Sequence, residues 1–124
     1  MERALPDIYI LKADYEKLSN LAANSESRTS ELLEAELDRA KILSDDEFSE
    51  SIVKMGSLVK YKDMESEKVL EITLVYPEEA NLEAGRVSIL APIGIALLGL
   101  KVGSVIRWPM PSGHEKELKV VEIL

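Results

Sequence analysis

The hydrophobic pattern divides the chain into two parts with different periods. In the segment "RTSELLEAELDRAKIL", residues 28–43, apolar side chains recur at steps of four, three and three, at Leu33, Leu37, Ala40 and Leu43. This spacing predicts an amphipathic helix with one buried face. Glu31, Glu34 and Asp38 fall on another face of the same helix.

A second, shorter helical seam lies upstream in "ADYEKLSNLAANS", residues 13–25. Its apolar positions are Tyr15, Leu18 and either Leu21 or Ala22. Asp14 is the expected cap of this helix, and Ser27 or Thr29 that of the next. Because only the turn "NSES", residues 24–27, separates the two seams, an antiparallel helical hairpin is predicted. A short strand is expected before it, in Ile8–Lys12.

Strand-like alternation replaces the helical period after residue 50. In "VLEITLVY", Leu70, Ile72, Leu74 and Tyr76 share one face, as expected for a half-buried strand. Four further short strands are predicted from the pairs Val59 and Tyr61, Val87 and Ile89, Ile106 and Trp108, and Val121 and Ile123. Polar loops rich in turn residues separate them.

The least polar stretch is "APIGIALLGLKVGSVI", residues 91–106. Its uncharged run, Ile89–Leu100, has twelve residues, whereas a membrane span needs about twenty. Pro92 suits the first turn of a helix, Gly99 suits its end, and Gly103 suits the turn into a strand. The stretch therefore predicts a short helix packed on the sheet as core.

Composition narrows the chemistry that the chain can perform. The 124 residues include no cysteine and one histidine, His114. Without cysteine the chain has no thiolate ligand for a metal site, and one histidine is a poor basis for a histidine-driven catalytic triad. The net charge of −8 is concentrated in residues 1–50, which hold thirteen acidic and six basic residues. Such a surface repels phosphate and suits a basic partner. We expect a soluble, cytoplasmic monomer that binds neither membrane nor nucleic acid directly.

The second half resembles a known bacterial family. "VSILAPIGIALLGLKVGSVIRWPMPSG" followed by "LKVVEI" is similar to the C-terminal domain of the Gre transcript-cleavage factors. The closer resemblance is to the Rnk proteins, regulators of nucleoside diphosphate kinase, which "ELDRAKIL" also fits. It covers roughly residues 30–124 and is a long ordered pattern rather than one short motif.

The resemblance implies an α+β fold in two parts: a short N-terminal antiparallel helical hairpin, residues 1–48, and a C-terminal FKBP-like antiparallel sheet with one short helix, residues 49–124. It also implies RNA polymerase as the partner. Gre factors dock at the mouth of the secondary channel and insert the hairpin. Two acidic residues at their hairpin tip then help to hold a catalytic magnesium ion that belongs to the polymerase.

The tip of this chain departs from that pattern. "AANSESRTS" contains one acidic residue, Glu26, and one carboxylate holds a metal ion poorly. A helix of about fifteen residues also reaches only about 22 Å. These features predict a polymerase-binding regulator that is not an enzyme and has no cofactor or metal of its own. The candidate polymerase-binding residues are Asn24, Ser25, Glu26, Ser27, Lys101 and Arg107.

Two other functions remain open from the residues alone. One is a cleavage and elongation factor of Gre type. The other is an FKBP-like prolyl isomerase, which needs an aromatic-lined pocket. Tyr61, Tyr76 and Trp108 lie on alternating strand positions and are expected in the core. The acidic run Asp45–Glu50 is expected to be a solvated linker, and His114 an ordinary exposed residue.

Overall fold

The computed structural model describes residues 7–25, 27–44, 46, 51–109 and 113–124. Within these ranges the chain forms three α-helices: α1 Lys12–Ala23, α2 Arg28–Arg39 and α3 Pro92–Leu97. The same described residues contain seven strands: β1 Tyr9–Leu11, β2 Lys41–Leu43, β3 Leu58–Asp63, β4 Val69–Val75, β5 Arg86–Ser88, β6 Val105–Pro109 and β7 Glu115–Ile123. The predicted α+β class is confirmed, with α1 and α2 forming the helical hairpin.

The hairpin helices start differently from one another. Ser27 caps α2, as expected: its hydroxyl accepts from the Ser30 N–H at 3.1 Å, and the Ser30 hydroxyl accepts from the Ser27 N–H at 3.1 Å. The expected cap of α1 is wrong, because that helix begins at Lys12, directly after β1. Asp14 therefore lies within the first helical turn.

Helix α2 also ends earlier than the apolar seam suggested. Ala40 has an extended backbone, and Leu43 lies on β2 rather than on the helix. The cause is pairing with a distant segment. Strand β2 runs parallel to β1, with Tyr9 opposite Lys41, and the Lys41 N–H donates to the Ile8 carbonyl at 2.9 Å.

The remaining strands form one sheet in the order β5-β4-β3-β7-β6. The expectation of an antiparallel sheet holds for the three pairs among β4, β3, β7 and β6. Edge strand β5 is instead parallel to β4. Two short 3-10 turns, Pro77–Glu79 and Leu82–Ala84, lie between β4 and β5, and this connection is long enough to bring the chain back in the same direction.

Alternation along the strands agrees with the expected core, with two corrections. Leu70 lies on the predicted inner face of β4 but is 44% exposed, because the strand becomes buried only from Ile72 onward. Val121 was also expected inside and is exposed. The pairing of β3 with β7 shifts register between Lys60 and Tyr61, which leaves Val121 as the extra residue of a bulge.

Helix α3 is core, as the sequence predicted. Pro92 occupies its first turn, and Ala96, Leu97 and Leu100 are buried. Gly99 follows the helix with φ of +78°. A Cβ atom there would lie 2.8 Å from the Cβ of Ile8, so glycine allows the close approach of the segment leading into β1. One cluster of buried side chains joins α3, the sheet and the hairpin.

Candidate functional site

The hairpin tip brings three of the predicted site residues together. Asn24, Ser25 and Ser27 lie between the end of α1 and the start of α2. Glu26, the fourth predicted residue, lies outside the described residues. The Asn24 side-chain amide donates to the Asn20 carbonyl at 2.9 Å, which closes the end of α1.

Hydrogen bonding within the turn occupies the polar atoms on the α2 side of the tip. The Ser30 hydroxyl donates to the Ser25 carbonyl, with a separation of 2.9 Å. The Ser27 hydroxyl accepts the capping hydrogen bond from the Ser30 N–H. Across the described ranges, no three histidine, aspartate or glutamate side chains are grouped so as to hold a metal ion. The described serines of the tip, Ser27 and Ser30, thus serve to cap α2.

One side of the hairpin faces an acidic turn of the sheet region. Asn20 and Asn24 line a groove together with Tyr76, Glu78 and Glu79. Burial raises the pKa of Tyr76 to about 12, and nearby carboxylates act in the same direction. The same carboxylates give this side of the tip an acidic rim.

The two predicted basic contacts lie in different surroundings. Arg107, on β6, is paired across the strands with Glu117 at 3.5 Å. Lys101 follows α3 and forms a single antiparallel bridge with Ile52. Its ammonium lies 4.6 Å from the ring centroid of Tyr9. Neither residue is grouped with the tip by any contact within the described part of the chain.

Two residues near Lys101 were not expected from the sequence. Tyr9 and Lys41 are register partners in the parallel pair of β1 and β2, and the Lys41 ammonium lies 5.8 Å from the Tyr9 ring centroid. No local signal predicts this arrangement, because it depends on pairing between two strands that the whole helical hairpin separates in the sequence. Only folding brings Lys41 and Lys101 together around Tyr9 into one cationic surface.

The other candidates from the sequence behave as ordinary structural residues. Tyr61 and Trp108 are buried and support the sheet. Tyr76 is half-buried against the core and also lines the groove beside Asn20 and Asn24. His114 is exposed and lies 3.0 Å from Glu65. Of residues 45–50 the structure describes Asp46 alone, and the linker interpretation of this run stays a prediction.

Helices long and apolar enough to cross a bilayer are absent from the described ranges.

A short helical hairpin that packs against α3, next to a five-stranded sheet, defines a Gre-type architecture. A solved structure described as a prokaryotic transcription elongation factor GreA/GreB from Nitrosomonas europaea shares this fold with a TM-score of 0.77 and 37% identity. The similarity covers 95% of this chain and 98% of that one. The Gfh1 protein of Thermus thermophilus is more distant, with a TM-score of 0.51 and 26% identity over 96% and 99% of the two chains.

Two family profiles match the sequence in succession. Residues 49–124 match "Transcription elongation factor, GreA/GreB, C-term", and residues 6–43 match "Rnk N-terminus". The chain therefore belongs to the GreA/GreB family, in its Rnk group.

Similarity to individual proteins agrees with this assignment. The "Regulator of nucleoside diphosphate kinase" of Escherichia coli K12 is 37% identical over 95% of this chain and 89% of its own length. The transcription elongation factor GreA of Alkaliphilus oremlandii is 35% identical over 84% of this chain. That match covers 65% of the GreA factor.

Proposed function

We propose that this protein is a transcription regulator that binds RNA polymerase near the secondary channel and does not cleave transcripts. The observation that carries the proposal is the hairpin tip. Segment 22–30 contains a single acidic residue, Glu26, and the hydroxyls of Ser27 and Ser30 are engaged in capping α2. Docking can therefore be retained while the metal-holding step of Gre-type cleavage is lost.

The chemistry of a shared metal ion explains why the tip matters. In Gre-type cleavage, two tip carboxylates help to position a magnesium ion that belongs to the polymerase active site. Magnesium requires near-octahedral coordination at short distances and exchanges water reluctantly. A tip with one carboxylate beside uncharged Asn24, Ser25 and Ser27 supplies too few fixed oxygens for that geometry.

The length of the hairpin supports the same proposal. Each hairpin helix has twelve residues, which corresponds to a rise of about 18 Å. Asn24 also lies in a groove beside the Pro77–Glu79 turn, so the α1 end of the tip stays close to the sheet region. We expect a short arm that occupies the channel entrance and competes with Gre factors for it.

The first experiment measures binding of the purified protein to core RNA polymerase. We expect a one-to-one complex, with the free protein monomeric by light scattering. Binding should weaken as salt rises, because charged surfaces are screened over about 10 Å at 0.1 M ionic strength. Failure to form a complex at micromolar concentration and low salt overturns the proposal.

The second experiment separates a regulator from a cleavage factor of Gre type, the alternative favoured by similarity to GreA proteins. Added protein should leave the transcripts of backtracked polymerase intact and should slow cleavage driven by a Gre factor through occupancy of a shared site. Ser25→Asp and Ser27→Asp variants should gain no cleavage, because they add charge without lengthening the arm. Shortened transcripts with the wild-type protein alone would establish the alternative.

The name of the E. coli relative connects it with nucleoside diphosphate kinase. For this chain we propose an indirect connection, through transcription. Adding the protein to purified kinase should leave kinase activity unchanged, whereas deleting its gene should change the amount of kinase transcript. A direct change in the activity of the purified kinase contradicts this part of the proposal.

A further inference from the structure

Three separate segments meet at the base of the hairpin and place two lysines around one tyrosine. Tyr9 lies on β1, Lys41 on β2, and Lys101 follows α3. The ammonium groups lie 5.8 Å and 4.6 Å from the ring centroid, within the range of cation–π contact. We call Tyr9, Lys41 and Lys101 the lysine–tyrosine cluster.

The backbone holds this cluster in place. The Tyr9 N–H donates to the Gly99 carbonyl at 3.0 Å, and the Lys41 N–H donates to the Ile8 carbonyl at 2.9 Å. Lys101 is fixed by its bridge to Ile52. Since the three residues are anchored before any partner arrives, a partner that binds here orders little additional chain.

The charges of the cluster are not balanced within the described part of the chain. Lys41 is paired with Asp7 at 3.2 Å. Lys101 is exposed, and among the described residues no carboxylate forms an ion pair with it. Two cations therefore share one ring and one carboxylate. This leaves a locally positive site on a protein whose net charge is −8.

From this arrangement we infer that the lysine–tyrosine cluster is a docking site for a short acidic protein segment, presented by the polymerase to which the chain is proposed to bind. This inference rests on the proposed function and names the surface that makes the contact. Carboxylates of such a segment would pair with Lys101 and replace Asp7 or join it at Lys41. The Tyr9 ring would supply apolar contact between them.

The wider charge distribution favours a short acidic segment over nucleic acid. The field of exposed charges is screened within about 8–10 Å at physiological salt. A short segment on the cluster therefore feels mainly Lys41 and Lys101. A nucleic-acid strand extends well beyond that distance, and its phosphates would meet the acidic remainder of the surface.

The test compares two variants that lose the same charge. Lys41→Gln/Lys101→Gln removes the cluster, whereas Lys62→Gln/Lys119→Gln removes two lysines that face each other across β3 and β7. The cluster variant should bind core RNA polymerase roughly fivefold to tenfold more weakly at low salt, with the difference shrinking as salt rises. The control should change affinity by less than about twofold. Equal melting temperatures would verify that both variants are folded.

A second measurement does not depend on polymerase. Hexaglutamate and the oligonucleotide (dT)12 are each titrated into labelled protein while the Tyr9 ring signals are followed by NMR. Hexaglutamate should shift these signals in the wild type and in the control, but not in the cluster variant. Larger shifts of the same signals with (dT)12 would overturn the choice of an acidic protein segment.

The two proposals can fail separately. If polymerase binds the wild type, the cluster variant and the control equally, the docking site is wrong while the proposed function stands. If polymerase does not bind the wild type, the proposed function fails, and the cluster is judged by hexaglutamate alone. In that case, absent Tyr9 shifts overturn the site, and shifts that disappear in the cluster variant support it.

Discussion

The α3 segment and the hairpin tip are both short connections, but different physical effects determine them. Residues 94–100 are buried throughout, whereas Asn24 and Ser27 are exposed. Packing determines the α3 segment, so few other residues could replace its apolar side chains and glycines. Capping and solvation determine the hairpin tip, where many different polar residues would be tolerated. The role of α3 therefore follows from the chain alone, whereas that of the tip becomes visible only beside its relatives.

The largest effect on stability is expected in α3, the segment that packing fixes. Leu97→Ala should lower the free energy of unfolding by about 2–5 kcal/mol, because Leu97 is fully buried and its removal leaves a cavity. Denaturant unfolding would measure the loss. Leu82→Ala is the matched control: Leu82 is 82% exposed, and its loss should cost about 0.5 kcal/mol or less. Equal effects of the two substitutions would contradict the burial of α3.

A second prediction tests the contact between the end of α3 and the segment entering β1. Gly99→Ala should destabilise the protein by about 2 kcal/mol or more, since it combines a positive φ with a clash against Ile8 and Tyr9. Gly103→Ala shares the positive φ but has open space around it. Its cost should be about 1 kcal/mol. Equal unfolding energies for the two variants would mean that the close approach is absent.

Substitutions at the hairpin tip should have a smaller effect on stability. Ser27→Ala should lower stability by about 1 kcal/mol, because it removes the hydroxyl that accepts the Ser30 N–H. Ser27→Asp keeps an acceptor at the cap and should retain most of the stability. Thermal unfolding of the two variants distinguishes these outcomes. A destabilised Ser27→Asp protein would show that the serine has a packing role beyond capping.

The smallest effect is a pH dependence that distinguishes the sheet from the hairpin. A hydrogen bond from Lys116, aided by the N–H groups of Ser66 and Glu65, lowers the pKa of Asp63 below 3.8. The stability that Asp63 contributes is thus present above pH 3.8 and lost as pH falls through the lowered pKa. In the hairpin, burial raises the pKa of Glu36 above 4.5, although Arg39 opposes this. Its contribution is present below pH 4.5 and lost as pH rises through the raised pKa.

Urea unfolding between about pH 3 and pH 7 measures both contributions. Relative to the wild type, Asp63→Asn should lose less stability on acidification, and Glu36→Gln should lose less stability as the pH is raised. Lys116→Gln serves as a control for Asp63, since it should weaken the same acid dependence by eliminating the main hydrogen-bond partner. Identical pH profiles for all four proteins would contradict the assigned environments of the two carboxyl groups.

Features determined by local sequence were predicted well. The α3 helix with Pro92 and Gly99, the Ser27 cap and the inward Ile72 and Leu74 depend on neighbours within a few residues. Features determined by distant pairing were not. The apolar positions follow a helical period through Leu43, yet pairing with β1 makes Lys41–Leu43 a strand. The parallel direction of β5 and the bulge at Val121 likewise depend on partner strands.

The candidate site shows the same division. Asn24, Ser25 and Ser27 are adjacent in sequence, so their proximity at the tip required only the prediction of a turn. Lys101 was a candidate, but its neighbours Tyr9 and Lys41 come from segments that the sequence does not connect. Arg107 is a basic residue of the same segment as Lys101, and in the structure it is paired with Glu117. Charge alone could not separate the two basic residues.

The parallel pair of β1 and β2 has a consequence for engineering. The chain enters the hairpin through β1 and leaves it through β2. The Tyr9 N–H of β1 donates a hydrogen bond to the Gly99 carbonyl, which holds the entering strand in place. A hairpin arm from a GreA factor should therefore be grafted with its junctions inside α1 and α2. Such a chimaera keeps Tyr9–Leu11 and Lys41–Leu43 as a native clasp. A junction after residue 48 would discard the clasp together with Ile8 and Ile10, whose side chains are buried in the core of the parent protein.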